Sequence, residues 1–167
     1  RDAAVLVPLI RNHDAWHVLL TVRTDTVQDH KNQVSFPGGA VEPEDADRIA
    51  TALRETREEI GLPSEEIRVL GYLPNYPTVS GFMITPVLGQ IPWPYAFRLS
   101  VNEVKRVYTV PLAWLSDPAN YEEREFSVMN HERRTALFYK EFDGEVLWGI
   151  SARIAQELGS SLRNLIH

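Results

Sequence analysis

Three glutamates, Glu55, Glu58 and Glu59, lie close together just after Arg54, and a double glycine, Gly38-Gly39, stands upstream of them. If the segment is helical, at 100° per residue the three carboxylates fall on roughly one side of it. Like charges three and four apart cost about 0.2–0.5 kcal/mol per pair, and the macrodipole disfavours carboxylates near a helix C-terminus. Such a face is either fully solvated or neutralised by something positive. The chain has no cysteine and few histidines. Clustered carboxylate oxygens without thiolates favour hard divalent cations, Mg²⁺ or Mn²⁺, over zinc. Magnesium keeps several waters and commonly bridges a few carboxylates to phosphate oxygens of a substrate, so the protein need not form a complete cage around it.

The elements that hold these residues read as loop, helix, loop. Gly38 and Gly39 give the first loop access to positive φ and let backbone N–H groups approach a ligand. Pro43, Asp45 and Asp47 mark the entry to a helix over about 46–60, and Gly61 followed by Pro63 ends it. Ile49, Leu53, Thr56 and Ile60 recur at helical spacing and form the stripe expected to be buried, opposite the acidic side. Arg54 precedes Glu58 by one helical turn. It either orients that carboxylate through a charge-assisted hydrogen bond or makes an ordinary surface pair with it.

The run from Gly39 to Leu62 resembles the Nudix box, G-x5-E-x7-R-E-U-x-E-E-x-G-U, where U is a bulky apolar residue. Gly39, Arg54, Glu55, Glu58, Glu59, Gly61 and Leu62 stand in its places. The chain departs from the pattern in three ways. Asp45 takes the first Glu position, eight residues separate it from Arg54, and Thr56 replaces the first apolar residue. The resemblance implies an α/β protein with the Nudix fold, a mixed β-sheet in an α/β/α sandwich. It also implies a metal-dependent hydrolase in which Glu55, Glu58 and Glu59 bind Mg²⁺ or Mn²⁺ and Gly38 and Gly39 shape the site. Water attacks one phosphorus of a P–O–P bridge, and a carboxylate accepts its proton. Glu58 and Glu103 are the candidates for that base. Glu103 qualifies because Glu103-Val104 and Val110-Pro111-Leu112 resemble the region after the box that brings an acidic residue to the metal.

The preceding segment is similar to the signature of coenzyme A pyrophosphatases in the same superfamily, L-L-T-x-R-[SA]-x3-R-x3-G-x3-F-P-G-G. Leu19, Leu20, Thr21, Arg23, Phe36, Pro37, Gly38 and Gly39 match it, whereas Thr24, Gln28 and Asn32 depart from it. The implied substrate is coenzyme A or an acyl derivative, cleaved to adenosine 3',5'-bisphosphate and 4'-phosphopantetheine or its acylated form. Arg23, His30 and Lys31 are candidate contacts for its phosphates, and Arg98, Arg133 and Arg134 for a terminal phosphate. Gln28 removes a fixed positive charge from this region and keeps ADP-ribose, NADH and dinucleoside polyphosphates as alternatives. A non-catalytic Nudix-fold regulatory module is the reading of another class; such modules often lose the box glutamates, which are all present here.

The remainder of the chain fits one domain, residues 1–167. Ala3–Ile10 and Trp16–Arg23 read as two strands, Thr24–Asn32 as a loop and Gln33–Phe36 as a brief strand. Glu66–Tyr72 and Phe82–Ile91 read as strands around a loop, with Pro86 placing the second at an edge or a bulge. The aromatic run Pro92–Ser100 reads as core packing more readily than as a cover over a site. Glu103–Val110 alternates in part, Pro111–Leu115 starts a helical turn, and Tyr121–Val128 pairs with Arg134–Phe142. Ile150, Ile154, Leu158 and Leu162 give a final helix over about 150–165 one apolar stripe.

The net charge of −6 argues against broad binding to nucleic acid or an anionic membrane. No segment approaches the roughly 20 continuous apolar residues of a membrane span, and no signal peptide is visible. The absence of cysteine is compatible with a reducing cytoplasm. The oligomeric state stays open, a homodimer included.

Overall fold

A computed structural model describes residues 1–25, 32–128 and 131–166. In chain order its first elements are β1 (Asp2–Asn12), β2 (Ala15–Arg23), β3 (Val34–Ser35), β4 (Gly38–Ala40), α1 (Arg48–Ile60), β5 (Arg68–Tyr72) and β6 (Tyr76–Pro77). They are followed by β7 (Met83–Gln90), β8 (Val104–Pro111), α2 (Leu112–Ser116), β9 (Tyr121–Ser127), β10 (Arg133–Tyr139) and α3 (Gly149–Ile166). Among the described residues eight strands form one mixed sheet in the order β3-β2-β1-β7-β5, with β4 on β1, β6 on β7 and β8 on β2. β9 and β10 form a separate antiparallel pair.

The feature that positions the site is a wedge in this sheet. β1 and β2 pair only near their shared turn, from Leu9↔Val18 to Asn12↔Ala15. Beyond it the strands diverge and residues 34–40 enter between them. β3 pairs with β2 at Thr21 and Val22, β4 pairs with β1 at Ala3 to Val5, and Leu6 N–H donates to the Pro37 carbonyl at 2.8 Å. The double glycine is therefore strand rather than a loop with positive φ, which corrects the sequence-based expectation. Glycine is required for space: a Cβ on Gly38 would stand 2.4 Å from the Ala4 carbonyl oxygen and 2.6 Å from Val5 Cα.

Side chains alternate along β1 and send the two faces into two cores. Ala4, Leu6 and Ile10 pack with Leu19, Ala52, Ile60 and Leu62 on the α1 side. Val7 and Leu9 pack with Leu20, Leu115, Ile154, Ala155 and Leu158 on the α2–α3 side. The result is the expected α/β/α layering. Full burial of a side chain such as Leu62 or Ile60 is worth about 1.5–3 kcal/mol.

Pro86 lies in neither an edge strand nor a bulge, because β7 runs between β1, to which it is parallel, and β5 with β6. Its carbonyl accepts from Leu73 N–H, but it has no N–H to return, and the β5 ladder stops at the neighbouring pair Tyr72↔Val87. The irregularity falls in β5 instead, between Val69 and Gly71. Tyr95, Phe97 and Leu99 pack on the α1-side core, with the Tyr95 and Phe97 rings 5.1 Å apart, as expected for a packing segment.

Candidate active site

α1 is held at both ends. The Asp47 carboxylate accepts from Ala50 N–H at 2.8 Å, and Gly61 takes φ 70 at the C-terminal cap. Thr51, Ala52, Thr56 and Ile60 are its buried residues, while Ile49 and Leu53 pack against the same core from partly exposed positions. Thr56 fits a site that favours an apolar residue because its hydroxyl donates to the Ala52 carbonyl at 2.7 Å.

Arg54 is the centre of a network broader than the sequence suggested. Its Nε and Nη2 donate to the two oxygens of Asp45 at 2.9 and 3.0 Å, a bidentate pair in which Asp45 is 5% and Arg54 16% exposed. Nη1 donates to Glu55 Oε1 at 2.9 Å, and Nη2 also donates to the Ala40 carbonyl at 3.0 Å. The helical-turn contact to Glu58 is the long one, 3.4–3.5 Å, with Glu58 half exposed. Arg54 thus orients Glu55 first and Glu58 only at the rim. The hydrogen bonds that Arg54 donates hold the Asp45 carboxyl well below the usual carboxylate range, and by accepting them Asp45 raises the guanidinium in turn. Thr51 Oγ1 and Glu42 N–H also donate to Asp45, each at 2.9 Å.

Sequence reasoning did not find this role for Asp45. The signal was its place at the box's first acidic position; the extra residue before Arg54 hid it.

Glu59 lies deeper. Burial pushes its carboxyl up to about 8, against a 3.4 Å hydrogen bond from Gly38 N–H; the charges of Glu55 and Glu103 raise it further, and that of Arg23 lowers it. Glu55 is raised as well, by burial first and by Glu58 and Glu103, against the pull of Arg54. A Cβ on Gly39 would stand 2.4 Å from Glu55 Oε1, so this carboxylate rests on bare backbone. Two carboxylates that burial and mutual repulsion drive toward protonation form an oxygen-only donor set suited to a hard divalent cation. Glu55 and Glu59, with Glu58 at the rim, fit such an ion. No three acidic or imidazole groups among the described residues already converge on one point, so closing a ligand set takes side-chain rotation.

Glu103, an exposed residue, lies near enough for its charge to act on both Glu55 and Glu59. The segment before β8 is bonded to the end of α1 through Arg98 N–H to the Ile60 carbonyl at 3.0 Å and Ser100 N–H to the Glu59 carbonyl at 2.8 Å. Arg23 closes β2 with its Nε buried and, among the described residues, without a hydrogen-bond partner, in the field of Glu59. His30, Lys31 and Gln28 lie outside the described residues. Asn32, which stands where the coenzyme A signature has glycine, takes φ 55, a left-handed conformation that asparagine tolerates better than most residues. Arg98 is exposed, Arg133 pairs with Glu125 and Arg134 with Glu132 on the β9–β10 hairpin. A shallow hollow on that hairpin, lined by Glu125, Phe126, Ser127 and Arg133, contains none of the acidic cluster.

The NUDIX domain model matches residues 1–132. The chain belongs to the Nudix family. Its relatives include the Nudix hydrolase NudL of Cronobacter sakazakii, described as uncharacterized. That protein is 41% identical over 159 residues, which cover 95% of this chain and 81% of the relative. The NudL protein of Klebsiella pneumoniae, described in the same words, is 40% identical over 158 residues, with the same coverage. A MutT/nudix family protein from Enterococcus faecalis shares the fold over 98% of this chain and 62% of that one, with a TM-score of 0.65 at 20% identity. A C. elegans Ap4A hydrolase in a binary complex shares it over 66% of this chain and 80% of that one, with a TM-score of 0.57 at 22% identity. The chain is accordingly a Nudix pyrophosphohydrolase, and hydrolases of this family generally need divalent metal ions. In Nudix terms the Gly39–Leu62 stretch is the box. Its first residues pair with β1 inside the wedge, and Asp45 stands at its first acidic position.

Proposed function

We propose that this Nudix hydrolase cleaves the diphosphate of coenzyme A or acyl-coenzyme A to adenosine 3',5'-bisphosphate and 4'-phosphopantetheine or its acylated form, with Mg²⁺ or Mn²⁺. The observation that carries this reading is the junction of the two motifs. Thr21 Oγ1 donates to the Ser35 carbonyl at 3.0 Å, so the first half of the coenzyme A signature is tied to the strand that leads into the box, and Arg23 lies in the field of Glu59. That Arg23 Nε has no hydrogen-bond partner among the described residues supports a role in binding a substrate phosphate.

Glu55, Glu58 and Glu59 are the residues to hold the ion. When bound, it neutralises charge on the phosphoryl oxygens and lowers the pKa of water. Arg54, itself fixed by Asp45, holds Glu55 in place. Gly38 and Gly39 let Glu59 and Glu55 lie against backbone. Glu103 or Glu58 accepts the proton of the attacking water as one P–O bond of the bridge breaks and its oxygen leaves with the departing phosphate. The proposal takes residues 1–167 as one catalytic domain acting on a small molecule in the cytoplasm, with nucleic acid and membrane outside its partners and a homodimer left open. No described helix is long and apolar enough to cross a membrane.

ADP-ribose, NADH and dinucleoside polyphosphates are the second reading, favoured by the uncharged Gln28. Product analysis by mass spectrometry with coenzyme A, ADP-ribose, NADH and diadenosine tetraphosphate decides between them. Preferential release of adenosine 3',5'-bisphosphate supports the first, and turnover of ADP-ribose but not coenzyme A replaces it with the second.

A further inference from the structure

We infer that Thr24 is a positioning residue: its side chain fixes the peptide that carries Glu103, and so couples the end of β2 to the proton-accepting side of the active site. Thr24 is 8% exposed and makes two contacts with consecutive carbonyls of the opposing segment. Its Oγ1 donates to the Asn102 carbonyl at 2.9 Å, and its N–H donates to the Glu103 carbonyl at 3.1 Å. The same segment is folded on itself, since Glu103 N–H and Val104 N–H both donate to the Ser100 carbonyl, at 2.9 and 2.8 Å. Ser100 N–H in turn donates to the Glu59 carbonyl at 2.8 Å. The turn is thus anchored on one side to α1 and on the other to Thr24.

The strands beneath it are irregular at the same place. Val22 pairs with Arg106 but Arg23 pairs with Val104, so Lys105 is an extra residue in β8. A bulge re-aims the chain and disrupts the strand ladder locally. Two bonds from Thr24 directly beyond the bulge restore a fixed direction to Glu103. Among the residues compatible with a buried side chain here, only serine and threonine supply the Oγ1 bond. Alanine, the other residue of the signature at this position, supplies none. Thr24 therefore gives this chain a bond that alanine at this position of the signature would lack.

The inference rests on Glu103 as the proton acceptor, and a double-mutant cycle separates the two. The substrate is whichever of coenzyme A, ADP-ribose, NADH or diadenosine tetraphosphate is turned over fastest, with Mg²⁺. Glu103→Gln is expected to lower kcat by about 10²-fold or more. Thr24→Val, close in shape but without the hydroxyl, is expected to lower kcat about tenfold with KM nearly unchanged, since a small misplacement of a catalytic group is enough for that. Thr24→Ser is expected to restore kcat. In the Glu103→Gln background, Thr24→Val is expected to cost nothing further. Amide exchange at Glu103 and Val104, faster in Thr24→Val and normal in Thr24→Ser, reports the loosened turn independently of activity.

A Glu103→Gln enzyme within twofold of wild type removes the base assignment, and the inference with it. Loss of activity in Glu103→Gln, combined with full kcat in Thr24→Val or with an undiminished Thr24→Val effect in the double variant, overturns the role of Thr24 alone. A Thr24→Val protein that melts as an unfolded chain leaves the decision to Thr24→Ala beside Thr24→Ser: equal kcat in those two overturns the inference, and a tenfold difference upholds it.

Discussion

Asp45 and Glu59 have opposite electrostatic environments, and their substitutions should behave in opposite ways. Asp45 is held ionised by Arg54, so its contribution to stability is full above the ordinary carboxylate range and is lost as pH falls toward its depressed folded value. Asp45→Asn breaks the bidentate pair and leaves Arg54 partly buried beside one fewer carboxylate. It should cost about 2–3 kcal/mol in urea unfolding at pH 7, and less at pH 3, where the unfolded chain's Asp45 takes up a proton that the folded carboxylate does not. Glu59 is pushed up to about 8, so the folded, metal-free protein binds its proton more tightly than the unfolded chain does. Stability without metal should therefore fall as pH rises through the range from the ordinary glutamate value to about 8. Glu59→Gln should flatten that slope, raising the metal-free Tm at pH 8 by on the order of 5 °C while abolishing activity. A thermal melt series in chelator checks this, and a pH-independent wild type would contradict it. The acidic residues of the box were legible from their types and spacing. The Asp45–Arg54–Glu55 network was not, because the hydrogen bonds depend on how the loop over residues 42–46 folds back on the helix, and helical periodicity points Arg54 to Glu58 instead.

At the scale of elements, the two glycines of β4 should separate fold from function. The Cβ of Gly38→Ala meets backbone atoms of Ala4 and Val5 that have no room to move, and should cost about 1–3 kcal/mol of stability. The Cβ of Gly39→Ala meets the carboxyl of Glu55, the far end of a side chain that can rotate away. That variant should keep most of its stability and lose at least about tenfold in kcat, because Glu55 is displaced. Thermal melts and kcat on the two variants test the contrast; equal loss of stability in both would contradict it. The helices and most strands were legible from period and turn residues, including the apolar stripe of α3 and the β9–β10 pair. The wedge was not: the brief strand expected over Gln33–Phe36 contains β3, but three-residue β4 is too short to carry a period and its double glycine reads as loop. Pro86 misled for a related reason: proline disfavours an inner strand only where its N–H is needed, and here β5 ends beside it.

At the scale of the whole molecule, the sheet separates a structural layer from a chemical one. α2 and α3 cover one face with an apolar core, while α1 covers the other, sets Glu55 and Glu59 against the glycines of β4 in the wedge, and is bonded at its end to the segment that leads to Glu103. The architecture was legible because the Gly38–Leu62 stretch is specific to one family. The substrate was less so, because Thr24, Gln28 and Asn32 depart from the coenzyme A signature and Gln28 removes a fixed positive charge from it. The central claim is that this acidic layer hydrolyses the diphosphate of coenzyme A. Its most direct measurement is turnover of coenzyme A by the wild type and by Glu59→Gln, each with Mg²⁺ or Mn²⁺ and again in chelator. Adenosine 3',5'-bisphosphate and 4'-phosphopantetheine should form in equal amounts only with the wild type and metal. Turnover that survives both Glu59→Gln and chelation, or no cleavage of coenzyme A by the wild type with either metal, would contradict the claim.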